Sequence, residues 1–263
     1  GRLVPQIVYY VYSYAQLYKS GQIDKDEKIN VVVPTGNFGN ILAAYYSKGM
    51  GLPIDKLICA SNENKVLFDF FSTGVYDKNR EFILTTSPSM DILISSNLER
   101  LIFRLTGKDY EKTAKFMNDL SQSGKYEITG QMKEEMETFA AGYASEEETA
   151  KMIKKIYQET GYVIDTHTAV AAHVYEEYVK ETGDNKKTVI ASTASPYKFP
   201  VSVMEAVDTK FKDIDDFELV GELSKVSGIE IPEAVAELET AEVLHNRVCK
   251  PEEMESLVEG ILK

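Results

Sequence analysis

The sequence is short of the residues that would suit it to an oxidising compartment, a nucleic acid or a bilayer. Only two of its 263 residues are cysteine. Cys59 and Cys249 form neither a disulfide framework nor a zinc site. The Cys59 thiol, in Leu57-Ile58-Cys59-Ala60, reads as a small hydrophobe in a buried strand. A reducing, cytoplasmic setting is the expectation. Basic residues are scarce: 29 Lys and Arg against 42 Asp and Glu leave a net charge of −13. That argues against sequence-independent nucleic-acid binding, which needs cations to replace counterions, and against an anionic membrane surface. No apolar run approaches bilayer length. The chain opens on Gly1-Arg2, without Met or a basic-then-apolar leader, and is read as a piece of a longer protein. His173 and His245 lack partners at metal-ligand spacing, no metal site is expected, and no Ser–His–Asp set can be assembled. What remains is 43% apolar and 27% charged, a globular composition long enough for one large domain or two modest ones.

Against those absences stands Pro34-Thr35-Gly36-Asn37-Phe38-Gly39-Asn40. It follows the β-branched run Ile29-Asn30-Val31-Val32-Val33 and precedes the helix-like Ile41-Leu42-Ala43-Ala44-Tyr45-Tyr46. A strand that breaks at glycines and restarts as a helix builds a phosphate cradle: the backbone comes close, and the helix start offers free N–H groups and partial positive charge. The spacing G-x-x-G is neither the dinucleotide fingerprint nor the nucleoside-triphosphate loop. A single phosphate is the natural guest, and Gly36, Asn37, Phe38, Gly39 and Asn40 are its candidate holders.

Around the loop the pattern is strand–helix–strand–helix, the mark of an α/β parallel sheet. A helix is expected over 3–19, with its five tyrosines packing rather than reacting. Then come strand 29–33, helix 40–50, strand 56–60, a helix from about 64 to 72 closed by Gly74, and a third strand at 81–86. A helical region follows from about 97 to 160, broken near Gly107, Gly124 and Gly142. Ser145-Glu146-Glu147-Glu148 reads as a capping box. Asp165-Thr166-His167-Thr168 opens another helix, where capping outweighs acid–base chemistry. A last strand is expected at 187–193, and an acidic, helical, peripheral tail after about 208.

Ser192-Thr193-Ala194-Ser195 falls at a strand end, where open α/β sheets bind ligands. A hydroxyl there can meet a ring nitrogen or simply cap the next helix. Lys198, five residues beyond Thr193, is by itself an ordinary surface lysine.

Taken in order, several stretches resemble threonine synthase of the bacterial and fungal type. They are Gly1-Arg2-Leu3-Val4-Pro5-Gln6, Val33 to Ile41, Asn62-Glu63-Asn64, Ser87-Pro88-Ser89-Met90-Asp91-Ile92, Glu159 to Val170, and Ser192-Thr193-Ala194 with Lys198-Phe199-Pro200. The resemblance implies a pyridoxal 5'-phosphate enzyme of the tryptophan-synthase-like fold (fold type II), a parallel sheet with helices on both faces. Its large domain would take residues 1–207, with 208–263 as a helical extension. It implies a cofactor phosphate on Gly36 to Asn40, the pyridine nitrogen on Thr193, and the phosphate of O-phosphohomoserine on Arg2 and Lys198. The implied reaction converts O-phosphohomoserine and water to threonine and phosphate.

The resemblance also carries a departure. The Schiff-base lysine of this family lies in an Ala-Phe-Lys-Asp-like segment, and none occurs here. The expectation is a C-terminal half without turnover of its own, with apolar surface on helix 3–19 left bare for self-association. The alternatives are a related phospho-lyase or dehydratase, and a non-catalytic phosphate-ligand binding fragment.

Overall fold

The β-branched runs do become adjacent parallel strands. In the computed structural model, which describes residues 1–262, β1 (Ile29–Pro34) pairs with β2 (Ile54–Ser61) on one side and β6 (Thr188–Ile190) on the other. Strand β5 (Phe139–Tyr143) pairs with β2, giving the all-parallel order β5-β2-β1-β6. Val31 faces Leu57 and Val189, and Val33 faces Cys59. Successive strand residues point to opposite faces. Val31 and Val33, with Leu57 and Cys59, pack under Ile41 and Leu42 of α2 (Gly39–Gly49) and Leu67 and Phe70 of α3 (Val66–Thr73). Val32, Ile58 and Ala60 pack on the other face against Val170, Ala171 and Val174 of α8 (Thr166–Thr182). Helices on both faces explain why β1 is apolar without alternation.

Helix α1 (Val4–Lys19) packs on α2. Helices α4 (Leu98–Leu105) and α5 (Tyr110–Ser123) extend the same layer, with Leu101 and Ile102 fully buried. Helix α7 (Glu146–Thr160) lies on α8, and its capping box forms, with Ser145 and Glu148 each accepting from the other's backbone amide.

Several expectations need correction. Residues 81–86 form no strand. Their backbone groups are taken by side chains: the Asn64 amide group serves both the N–H and the C=O of Ile83, Asp91 accepts from the Thr85 N–H, and Glu146 from that of Thr86. The region 97–160 is not helical throughout. It holds β5, the short helix α6 (Gly130–Glu135), and β4 (Lys125–Glu127), which pairs antiparallel with β3 (Val75–Asp77). Strand β6 is three residues long, with Ala191 adding one more bond to Val32 before the chain turns away. Of the five tyrosines in α1 only Tyr10 is buried; Tyr9, Tyr12 and Tyr18 are exposed.

The chain divides into units 1–229 and 230–262 rather than at 207/208. The segment after 208 is not peripheral at first: Phe211 is buried, and α10 (Asp216–Ser227) buries Leu219 and Leu223 and packs on α9 (Pro200–Val207). The second unit holds α11 (Glu233–Ala236) and α12 (Met254–Leu262) and buries no residue.

Candidate active site

The glycine loop is built with its carbonyls satisfied and its amides free. Thr35 ends the ladder, donating its N–H to the Ala60 carbonyl (2.8 Å) and its hydroxyl to Val33 (2.6 Å). The Gly36 carbonyl accepts from the Ser95 hydroxyl (2.8 Å). The Asn37 carbonyl accepts from both the amide (3.1 Å) and the side chain (2.7 Å) of Asn97. Among the described residues nothing accepts from the amides of Gly36, Asn37, Phe38, Gly39, Asn40 or Ile41. The last three open α2, where N–H groups have no intrahelical partner.

Phe38 caps α2 in the left-handed region (φ 62°), a costly conformation for a bulky residue. Its ring is fully buried, 6.0 Å from both Phe71 and Phe139, and this burial offsets the strain. Gly36 is required for a different reason. A Cβ there would lie 2.3 Å from the Ser89 carbonyl oxygen. The Tyr10 hydroxyl donates to Asn40 Oδ1, and burial pushes that hydroxyl's pKa up, so it stays a neutral donor.

These groups line a cleft of about 1200 Å³. Arg2, Gly36, Asn37, Phe38, Gly39, Asn40, Thr193 and Lys198 all border it, so every residue singled out from the sequence lies at one place. Thr193 and Ser192 differ there. Ser192 is 3.1 Å from the Thr168 hydroxyl, whereas the Thr193 hydroxyl has no partner among the described residues. In a chain with 42 acidic residues, no carboxylate side chain is among the described residues lining the cleft, yet Arg2, Arg100 and Lys198 are. An anion is what such a lining favours.

Arg100, Gln6 and Ser89 also line the cleft; Gln6 and Ser89 fall within stretches that carry the resemblance, and Arg100 falls in none. His167 lines it too, but its ring is committed. Nε2 accepts from the Ser89 amide (3.2 Å), which leaves the proton on Nδ1, 3.3 Å from Asp165. Asp165 accepts from the backbone amides of His167 and Thr168, capping α8 as expected. Burial pushes its carboxyl up, but hydrogen bonds from His167 and Thr168 outweigh that and hold it below the usual range.

A parallel sheet with helices on both faces and an amide cradle where β1 meets α2 is the architecture of the fold type II pyridoxal-phosphate enzymes. The crystal structure of threonine synthase from yeast superposes with a TM-score of 0.83 at 33% identity, covering 99% of this chain and 52% of that one. The pyridoxal-phosphate-bound threonine synthase from Brucella melitensis gives 0.74 at 33% identity, covering 92% and 46%. Human threonine synthase-like 1 is 42% identical over 218 residues, 82% of this chain and 29% of that protein. A family model described as threonine synthase, C-terminal, matches residues 168–256. The chain belongs to the threonine synthase family. It spans about half of the two solved enzymes and less than a third of the human relative.

Proposed function

We propose that this chain forms the phosphate-gripping part of a threonine synthase site, which converts O-phosphohomoserine and water to threonine and phosphate with pyridoxal 5'-phosphate. The observation that carries the reading is the row of six unpaired amides, Gly36 to Ile41, in a cleft without carboxylates. These residues fit the coenzyme. The loop amides and the start of α2 would hold its phosphate, and the free Thr193 hydroxyl would meet its ring nitrogen. When bound, the coenzyme supplies an electron sink for negative charge at the substrate's Cα.

The protein's own residues do the rest. The Arg2 guanidinium forks onto the substrate phosphate and the Lys198 ammonium adds a point charge. Together they orient the substrate and stabilise the phosphate as it leaves. This clamp favours a phosphorylated substrate over that of a related dehydratase. Lys198 is the one lysine among the described residues lining the cleft, and the reading gives it to phosphate. No second lysine is there to anchor the coenzyme or shuttle protons, so the chain alone is read as a binding unit without turnover. The same reading places it in the cytoplasm.

The test is titration with pyridoxal phosphate, followed by absorbance and by 31P NMR. Saturable binding that inorganic phosphate displaces, with no threonine formed from O-phosphohomoserine, is expected. Failure to bind either probe refutes the site, and threonine production refutes the assignment of Lys198.

A further inference from the structure

We infer that Gln6 is a ligand-contacting residue of this cleft, its side-chain nitrogen donating to the phosphate assigned to the Gly36–Ile41 amides. The inference rests on that reading and adds a residue to it. Gln6 lies on α1 one turn before Tyr10, which holds Asn40, and one turn after Arg2, which sits in the bend leading into the helix. Positions four apart share a helix face, so Arg2, Gln6 and Tyr10 form one wall beside the loop. All three border the cleft.

The two ends of the Gln6 amide are placed unequally. Oε1 is buried without a hydrogen-bond partner, packed 3.8 Å from where a Cβ on Gly39 would stand. Nε2 is not fully buried and is bonded to no described residue, on a side chain that lines the cleft. A buried acceptor without a donor costs stability. Leucine has nearly the same volume and would remove that cost. Packing therefore does not explain the amide. A neutral donor in a cleft lined by Arg2, Arg100 and Lys198 and by no carboxylate does have a use once an anion occupies the loop.

The experiment compares wild type with Gln6→Leu and Gln6→Glu in the full chain. Inorganic phosphate and pyridoxal phosphate are the probes, with affinities from calorimetry and Tm of the ligand-free proteins from circular dichroism. Gln6→Leu is expected to keep or raise the ligand-free Tm while weakening both probes about tenfold, the worth of one hydrogen bond to an anion. Gln6→Glu, which sets a carboxylate against the phosphate, weakens them further. Unchanged affinity in Gln6→Leu overturns the inference and leaves the proposed function standing. Weaker affinity together with a lower ligand-free Tm also overturns it, because the role is then structural. A wild-type protein that binds neither probe overturns both.

Discussion

Gly36→Ala and Gly39→Ala should move stability in opposite directions, although both glycines belong to the same loop. The reason is what a new methyl group meets. At position 36 it would lie 2.3 Å from the Ser89 carbonyl oxygen and 3.2 Å from the Met90 Cα. Both are backbone atoms, and they are held. The Ser89 N–H is bonded to His167, and the Met90 N–H to the Ser87 carbonyl (2.9 Å). Asp91 binds the side chains of Asn62 (2.8 Å), Asn64 (3.1 Å) and Thr85 (2.7 Å). Overpacking against such a wall costs about 1–3 kcal/mol. Alanine recovers about 0.4–1 kcal/mol by restricting the unfolded chain. The net loss is about 1–2 kcal/mol, or roughly 2–8 °C in Tm for a unit of this size. At position 39 the nearest atom is Leu3 Cδ2 at 3.4 Å, an ordinary contact. There the gain from alanine stands almost alone, and the variant should be neutral or up to about 1 kcal/mol more stable. The chain has no tryptophan, so urea unfolding is followed by circular dichroism and tyrosine emission. Gly36→Ala as stable as wild type, or Gly39→Ala destabilised equally, would refute the claim that the Ser89 carbonyl fixes residue 36.

Two further outcomes are expected. Asp184 is raised by burial but held well below the usual carboxylate range by hydrogen bonds from Asn30 (3.0 Å), Lys186 (3.1 Å) and Tyr178 (2.9 Å). A folded-state pKa depressed in this way gives stability that is complete above the ordinary value, about 3.9, and is lost as pH falls through the folded value. The urea midpoint should therefore fall below about pH 4, with a shallower slope in Asp184→Asn; equal slopes would sink the assignment. On α1, Val4, Val8 and Tyr12 are 64%, 61% and 62% exposed and lie along one face. Mass from light scattering should grow with concentration in wild type and stay monomeric in Val8→Glu/Tyr12→Glu, whereas a wild type that stays monomeric throughout contradicts the expectation.

The fold was readable where residue type and local structure agree. The β-branched run of β1, the glycines of its loop and the caps at Ser145 and Asp165 specify their own geometry. Strand β5 does not. Phe139-Ala140-Ala141-Gly142-Tyr143 has little strand preference, and its small residues are set by distance: a Cβ on Gly142 would come 2.7 Å from Val174 of α8. Packing against a helix 30 residues away selects that composition, and no local pattern shows it. Residues 81–86 err in the opposite sense. Phe82, Ile83 and Leu84 look like a strand, but all three are exposed and the segment's backbone is bonded to side chains.

Helix α1 marks the limit for the site. Its residues are apolar on nearly every side, so hydrophobic periodicity identifies a helix without saying which face turns inward. Leu3, Ile7, Tyr10, Tyr14 and Leu17 pack on the core, Val8 and Tyr12 do not, and Arg2 and Gln6 line the cleft together with Leu3, Val4 and Tyr10. These sets overlap within the sixteen residues of the helix and the turn before it. Only the position of the glycine loop, fixed by β1 and α2, decides which of these side chains border the cleft. Spacing alone therefore points to the amides of the loop and not to the Gln6 side chain that packs beside Gly39.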